Sequence, residues 1–135
     1  MRQTILALAL VLAGTQPFAA EPADDAIRAT ISGQIDAFRS GDMAGAFDFA
    51  SDGIRRIFGT ADNFGTMVGR GYAMVIAPAE VQYGELRDEG GARVQRVLIR
   101  DPSGVWHALD YLMVEQDGGW RIGGVELLAE PPVGA

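Results

Sequence analysis

VWHALDYLMV, residues Val105–Val114, is the stretch on which the reading of this chain turns. It lies between two turn signals, Asp101-Pro102-Ser103-Gly104 and Asp117-Gly118-Gly119, and has strand character along its whole length. Successive side chains of a strand point to opposite faces. One face therefore holds Val105, His107, Leu109, Tyr111 and Met113, and the other Trp106, Ala108, Asp110, Leu112 and Val114. Both faces are largely apolar, so both need cover. Helices are expected over one of them. The other is too apolar to face water, and a second copy of the chain is the expected cover.

Working outward, three more strands are expected: Glu80–Asp88, Ala92–Asp101 and Trp120–Ala129, with the quoted stretch extending over Val105–Gln116. The connectors Glu89-Gly90-Gly91, Pro102-Ser103-Gly104 and Asp117-Gly118-Gly119 are short enough for hairpins, which makes the sheet an antiparallel meander. In three strands the apolar face changes parity midway. Val81 and Tyr83 give way to Leu86 across Gly84, Val94 to Val97 and Ile99, and Trp120 and Ile122 to Val125 and Leu127 across Gly123-Gly124. A parity change without loss of strand character is the mark of a bulge or bend. Bends in neighbouring strands curve a sheet strongly.

Upstream the period is helical. Ile27, Ile31, Ile35 and Phe38 form one helix face behind Asp24 and Asp25, and Ser40-Gly41 ends it. Asp42 caps a short second helix that buries Ala46, Phe47 and Ala50. A turn with Ile54, Ile57 and Phe58 follows Ser51-Asp52-Gly53, and Thr60 caps a third helix with Phe64, Met67 and Val68 inward. Tyr72–Ile76 reads as extended, ending near Pro78. The fold class is α+β: three N-terminal helices on the concave face of a strongly curved, mostly antiparallel sheet.

Length and composition set the remaining bounds. Arg2, the apolar run Ile5–Ala13 and the small pair Ala19-Ala20 read as a secretory signal over residues 1–20, with periplasmic or secreted localisation and cleavage after Ala20. The run is far short of the roughly 20 apolar residues of a membrane helix, so no membrane span is expected. Glu21–Ala135 is then a single domain. There is no cysteine, and hence neither disulfide nor thiolate chemistry. The net charge is −7, every cation is Arg or the single His, and no basic cluster forms, which argues against nucleic acid as a partner.

The helical segments DAFRSGDMAGAFDFAS, IRRIFGTADNFGTMV and GYAMV, with HALDYLMV and GWRIGGVELL near the end, resemble the domain of unknown function 4864 family over nearly all of the chain after the leader. That family is bacterial and mostly exported, and the resemblance implies fold and export but no activity. More distantly, helices followed by a bent meander resemble the nuclear transport factor 2-like superfamily of cone-shaped domains. This second resemblance implies a cavity between helices and sheet and dimerisation through the outer sheet face. Function does not follow from such a fold, and no catalytic motif of a characterised member is present.

Four groups of residues carry chemistry worth testing. His107 has no second His or Cys for a metal, so no metal and no cofactor are expected, and as a base it lacks a carboxylate on its own strand face. One hydrogen bond from one ring nitrogen is its structural reading. Asp110 stands in an apolar stripe, where an unpaired carboxylate is costly. Either it pairs with Arg96 or Arg100 on the preceding strand, Arg96 lying roughly opposite, or it lines a polar cavity. Tyr72, Tyr83 and Tyr111 offer phenolic donors to a ligand oxygen, or are core residues with hydroxyls at the rim. Trp106 and Trp120 read as packing anchors, and Arg55-Arg56 as an anion clamp or a solvated pair.

The candidate catalytic residues are therefore Asp110, Tyr111 and His107. The candidate pocket is Asp110, Trp106, Arg96, Tyr83 and Tyr72. Three functions stand open. The first is a non-catalytic domain that self-associates as a homodimer and binds a small apolar ligand. The second is a pocket enzyme of the isomerase or hydratase kind using Asp110 and a Tyr donor. The third is an accessory module that docks on a larger exported protein.

Overall fold

The computed structural model describes residues 22–129, so the expected leader over residues 1–20 and the tail from residue 130 lie outside the described residues. Five helices come first among these: α1 (Pro22–Arg39), α2 (Met43–Asp48), α3 (Asp52–Phe58), α4 (Ala61–Gly71) and α5 (Ala73–Ile76). Then come β1 (Glu80–Glu89), β2 (Ala92–Arg100), β3 (Trp106–Gln116) and β4 (Gly119–Leu127), paired antiparallel in the order β1-β2-β3-β4. The strand bounds match those expected from the sequence to within two residues.

α1 forms because an apolar stripe recurs at helical spacing. Ile27, Ile31, Ile35 and Phe38 are all buried on its inner side. Removing such side chains from water is worth about 1.5–3 kcal/mol each, which outweighs any weakness of propensity. Asp24 and Asp25 sit in its first turn and Arg39 in its last, matching the helix dipole. Beyond it Gly41 adopts φ +76°, a conformation that favours glycine. Asp42 then caps α2, its Oδ1 accepting from the Gly45 N–H at 2.9 Å, and Thr60 caps α4, its Oγ1 accepting from the Asn63 N–H at 3.1 Å. α1 passes so close to Phe49 that a Cβ on Gly33 would lie 2.6 Å from the ring.

Two local expectations are corrected. The turn at Ile54–Phe58 is the helix α3, because Ser51 caps it by accepting the Ile54 N–H at 3.3 Å. Tyr72–Ile76 is not extended, since Ala73–Ile76 forms α5. A five-residue apolar run has no polar alternation to set its period, so tertiary burial decides. Donation from the Val75 N–H to the Tyr72 C=O closes the turn, and Met74 and Val75 are buried by it.

The sheet carries two bulges. Between β1 and β2 the register jumps from Tyr83↔Val97 to Leu86↔Gln95, so Gly84 and Glu85 together oppose Arg96. Between β3 and β4 it jumps from Leu112↔Gly124 to Met113↔Ile122, which leaves Gly123 unmatched. These are two of the three parity changes seen in the sequence. The third, in β2, is not a bulge, since β2 pairs without interruption with β3 from Arg93 to Arg100. There Val94 packs on the outer face, while Gln95 takes the inner position beside the β1 bulge. Gln95 has no exposed surface, and its Nε2 donates to the carbonyls of Gly84 and Arg96, both at 2.9 Å. It thus satisfies a carbonyl that the bulge removes from strand pairing.

The inner face of the curved sheet presents Val97, Ile99, Leu109, Tyr111, Met113 and Ile122 to the helices, and these join the α1 stripe in one core. The outer edge of β4 is covered where it bends. Ile122 N–H donates to Phe49 C=O at 2.8 Å, and Ser51 N–H donates to Ile122 C=O at 2.9 Å. The link between α2 and α3 thereby acts as a short parallel strand over an otherwise open edge.

Candidate functional site

Between the helices and the inner face of β3 and β4 lies a cavity of about 280 Å³. Ile122, Gly124 and Val125 beside the β4 bulge line one side of it, and α3, α4 and α5 roof it. Phe64 of α4 stacks near Phe38 of α1 with ring centroids 6.0 Å apart, and meets Phe58 of α3 edge-on at 5.9 Å. Ile54, Met67, Val75 and Val125 complete most of the apolar wall. Gln34, Tyr72 and Tyr111 supply its polar side chains, and among the described residues no charged side chain lines it. Gln34 Nε2 donates to Ala46 C=O at 3.1 Å, and Tyr72 Oη donates to Val125 C=O at 3.1 Å. Tyr111 is 1 % exposed, and burial, with a smaller push from nearby Tyr83, raises its phenol well above the ordinary value. Its proton stays on through any physiological pH.

The pocket expected from the sequence is split by this geometry. Tyr72 lines the cavity, and so does Tyr111, but Asp110, Arg96 and Trp106 belong to the outer face of the sheet. Asp110 is 8 % exposed and stands opposite Arg96 across the β2–β3 ladder. Arg96 Nε lies 2.5 Å from Asp110 Oδ1, so of the two arginines expected as partners it is the one that pairs. Arg100 instead meets Glu80 at 3.2 Å and lies over the Trp106 ring at 6.0 Å. Arg87 of β1 also reaches Asp110 Oδ2, at 3.3 Å, while holding Glu85 and Glu89. Burial pushes the Asp110 carboxyl up, but the hydrogen bonds from Arg96 and Arg87 outweigh it and hold the group below the usual range. Tyr83 faces a separate polar groove beside α1, its Oη 2.5 Å from Ser32 Oγ and 3.4 Å from the Arg28 carbonyl.

His107 lies outside the cavity lining and does have a carboxylate partner, though not on its own strand. Its Nε2 is 2.8 Å from Asp101 Oδ2, in the turn before β3. Asp101 Oδ1 accepts from the Ser103 hydroxyl and from the N–H groups of Ser103 and Val105. The His107 bond first, then those of Val105 and Ser103, hold the Asp101 carboxyl well down. Arg55 lies over the Phe47 ring at 5.3 Å and 3.9 Å from Asp48, and Arg56 is exposed.

Glu80 is held down as well, by hydrogen bonds from Gln82 and then Arg100, and it joins Asp101 and Asp110 in setting an acid limit. Stability from a depressed Asp is complete above its unfolded value of about 3.9 and is lost as pH falls through the folded value. Unfolding monitored from pH 5 downward is expected to show a loss of stability beginning near pH 4. The Asp101→Asn, Asp110→Asn double variant is expected to show a shallower loss; an unchanged slope would remove these two groups as its cause. At neutral pH Asp110→Ala is expected to cost about 2 kcal/mol. That is less than the 3–5 kcal/mol of a fully buried pair, because both arginines are partly exposed. Urea unfolding measures it, and an Asp110→Leu, Arg96→Met double variant is expected to recover most of the loss.

Helices followed by a curved, four-stranded antiparallel sheet, with a cavity between the layers, define a nuclear transport factor 2-like α+β fold. An NTF-2 like protein of unknown function from Shewanella oneidensis MR-1 superposes with a TM-score of 0.51 at 14 % identity, covering 78 % of this chain and 98 % of that one. A second NTF-2 like protein of unknown function, from Burkholderia xenovorans LB400, does so with a TM-score of 0.47 at 16 % identity, over 82 % and 90 %. At 14 % identity the first of these likenesses speaks for the fold alone. By sequence the chain belongs to the family described as Domain of unknown function (DUF4864), which it matches over residues 20–135. None of the curated proteins matches it.

Sequence reasoning missed Gln34, Phe38, Phe58, Phe64 and Met67 as cavity lining, because each also sits on an ordinary buried helix face. The Asp101 partner was legible only as a turn residue, since its contact with His107 depends on how the turn closes.

Proposed function

We propose that this is an exported, non-catalytic binding domain whose cavity takes a small apolar molecule. The lining carries the reading: three phenylalanines and a set of aliphatic side chains line the space, and among the described residues no carboxylate, imidazole or amine faces it. Concave, apolar sites with few polar groups are what small-ligand recognition uses, and this one, at about 280 Å³, falls just below their roughly 300–1,000 Å³ range. The isomerase or hydratase alternative lacks its base, since Asp110 is held by two arginines on the far face of the sheet. Export rests on the signal-like leader over residues 1–20. Fractionation followed by N-terminal sequencing tests it, and a cytoplasmic chain that still begins at Met1 would contradict it.

The cavity is tested by thermal unfolding against uncharged aromatic compounds of about a dozen heavy atoms. A ligand at a hundredfold excess over its Kd stabilises by about 2.7 kcal/mol, on the order of 10 °C for a domain of this size. Ile54→Trp, which fills the cavity from α3, is expected to abolish the shift. No shift with any compound, or an undiminished one in that variant, counts against the reading.

Self-association is a second reading, favoured by the outer sheet face. Leu98, Trp106, Leu112 and Val114 flank the Arg96–Asp110 pair there, and Leu112 is 38 % exposed. Light scattering on the purified protein is expected to give a dimer, and Leu112→Arg a monomer. A clean monomer at tens of micromolar, or a complex only with a different exported protein, rejects it.

A further inference from the structure

The three tyrosines differ in one respect. Tyr72 donates its hydroxyl proton to Val125 C=O, and the Tyr83 hydroxyl lies within hydrogen-bond distance of Ser32 Oγ. Tyr111 is the most buried of them at 1 % exposure, projects from the inner face of β3 and lines the cavity. Yet no hydrogen bond among the described residues involves its hydroxyl, and unlike Gln95 Oε1 and Arg121 Nε, which are unpaired but fully enclosed, this oxygen keeps some accessible surface. Buried polar groups are almost always partnered, so one left open in a cavity wall is where a ligand atom fits. We infer that the cavity's ligand is an uncharged, mostly apolar molecule carrying one oxygen, and that the Tyr111 hydroxyl is the residue that hydrogen-bonds this oxygen. The inference rests on the cavity reading above and narrows it to a chemical class.

The absence of charge excludes as much as the hydroxyl selects. Among the described residues no Arg, Asp, Glu or His lines the space, so a carboxylate or ammonium entering it gives up its hydration with no counter-charge from them in return. The aromatic wall of Phe38, Phe58 and Phe64 favours a flat ring that packs face or edge against them. Fatty acids and amino acids are disfavoured on these grounds, and a phenol, an aryl ketone or a small cyclic alcohol is favoured. Tyr111 is also a dependable donor. Its phenol is pushed up by burial, so the hydroxyl never titrates under physiological conditions.

Calorimetric titration of the protein with naphthalene, 1-naphthol and 1-naphthoate separates the claims. These probes share one ring system and differ in an oxygen and a charge. Naphthol is expected to bind about three- to tenfold more tightly than naphthalene, the range of one neutral hydrogen bond. Naphthoate, ionised at neutral pH, is expected to bind at least about a hundredfold more weakly than naphthol, from the cost of burying an unpaired charge. Tyr111→Phe is expected to bring naphthol to the affinity of naphthalene while leaving naphthalene itself and the thermal midpoint unchanged. If Tyr111→Phe weakens all three probes alike, Tyr111 shapes the wall only and the anchor is overturned. If naphthalene and naphthol bind equally, and both are lost in Ile54→Trp, the cavity reading stands and the oxygen requirement falls. Naphthoate binding as tightly as naphthol overturns the exclusion of charge. If no probe binds, the cavity reading falls together with the inference.

Discussion

Phe64→Ala is expected to destabilise the domain by about 3–5 kcal/mol, the range seen when a buried aromatic ring is truncated in a close-packed core. Phe64 is 6 % exposed and is the hub of an aromatic cluster, with ring centroids 6.0 Å from Phe38, 5.3 Å from Phe47 and 5.9 Å from Phe58. Those partners belong to α1, α2 and α3, so one side chain on α4 holds four helices together. The site cannot collapse easily after truncation, because the existing cavity already borders the ring. The upper part of the range is therefore expected, with the m-value in urea unchanged. An apolar ligand such as benzene is expected to restore part of the loss, since a dry apolar hole takes up such molecules. A loss below about 1 kcal/mol would mean that the helices are held by something other than this cluster.

The architecture was legible in the sequence where period and turn chemistry agreed. Ile27, Ile31, Ile35 and Phe38 place α1, and the Gly-rich turns delimit four strands to within two residues. The register was legible as well, since Arg96 does stand opposite Asp110. Two short helices were not. Ser51 is a good cap, but a seven-residue helix gives too few turns for a periodic signal, and Ala73–Ile76 is a single turn set by burial.

The site was less legible than the fold, for a physical reason. Alternation tells which residues share a face but not which face turns inward. Both faces of Trp106–Gln116 are apolar, so nothing local distinguishes the side with Tyr111 from the side with Asp110. The choice is made by the direction of sheet curvature and by the α1 stripe, which are properties of the whole domain. Arg87 illustrates the same limit. It sits two strands away from Asp110 and reaches it beyond a bulge whose position was readable but whose reach was not.

Gln95→Leu is expected to cost about 2 kcal/mol although it makes the core more apolar and removes the unpartnered Gln95 Oε1, since it leaves more than one part-buried carbonyl without its amide donor, at up to about 1–3 kcal/mol each before relaxation. Gln95 is fully buried, and its Nε2 donates to Gly84 and Arg96 carbonyls at 2.9 Å, with Glu85 C=O at 3.3 Å. The carbonyls of Gly84 and Glu85 belong to the extra segment of the β1 bulge, where ladder pairing is interrupted. A leucine fills the space but donates nothing. The contrast with Asp110 is informative, because there both partners can be replaced together by apolar groups, whereas backbone carbonyls cannot be mutated away. The bulge therefore has to relax or the strand has to slip, and either change flattens the sheet over the helices. Hydrogen exchange is expected to locate the damage, with the amides of Tyr83–Arg87 losing protection before those of β3 and β4. If Gln95→Leu matches the wild-type midpoint and exchange pattern, the amide is dispensable to the bend, and curvature must be held by the glycines and the core alone.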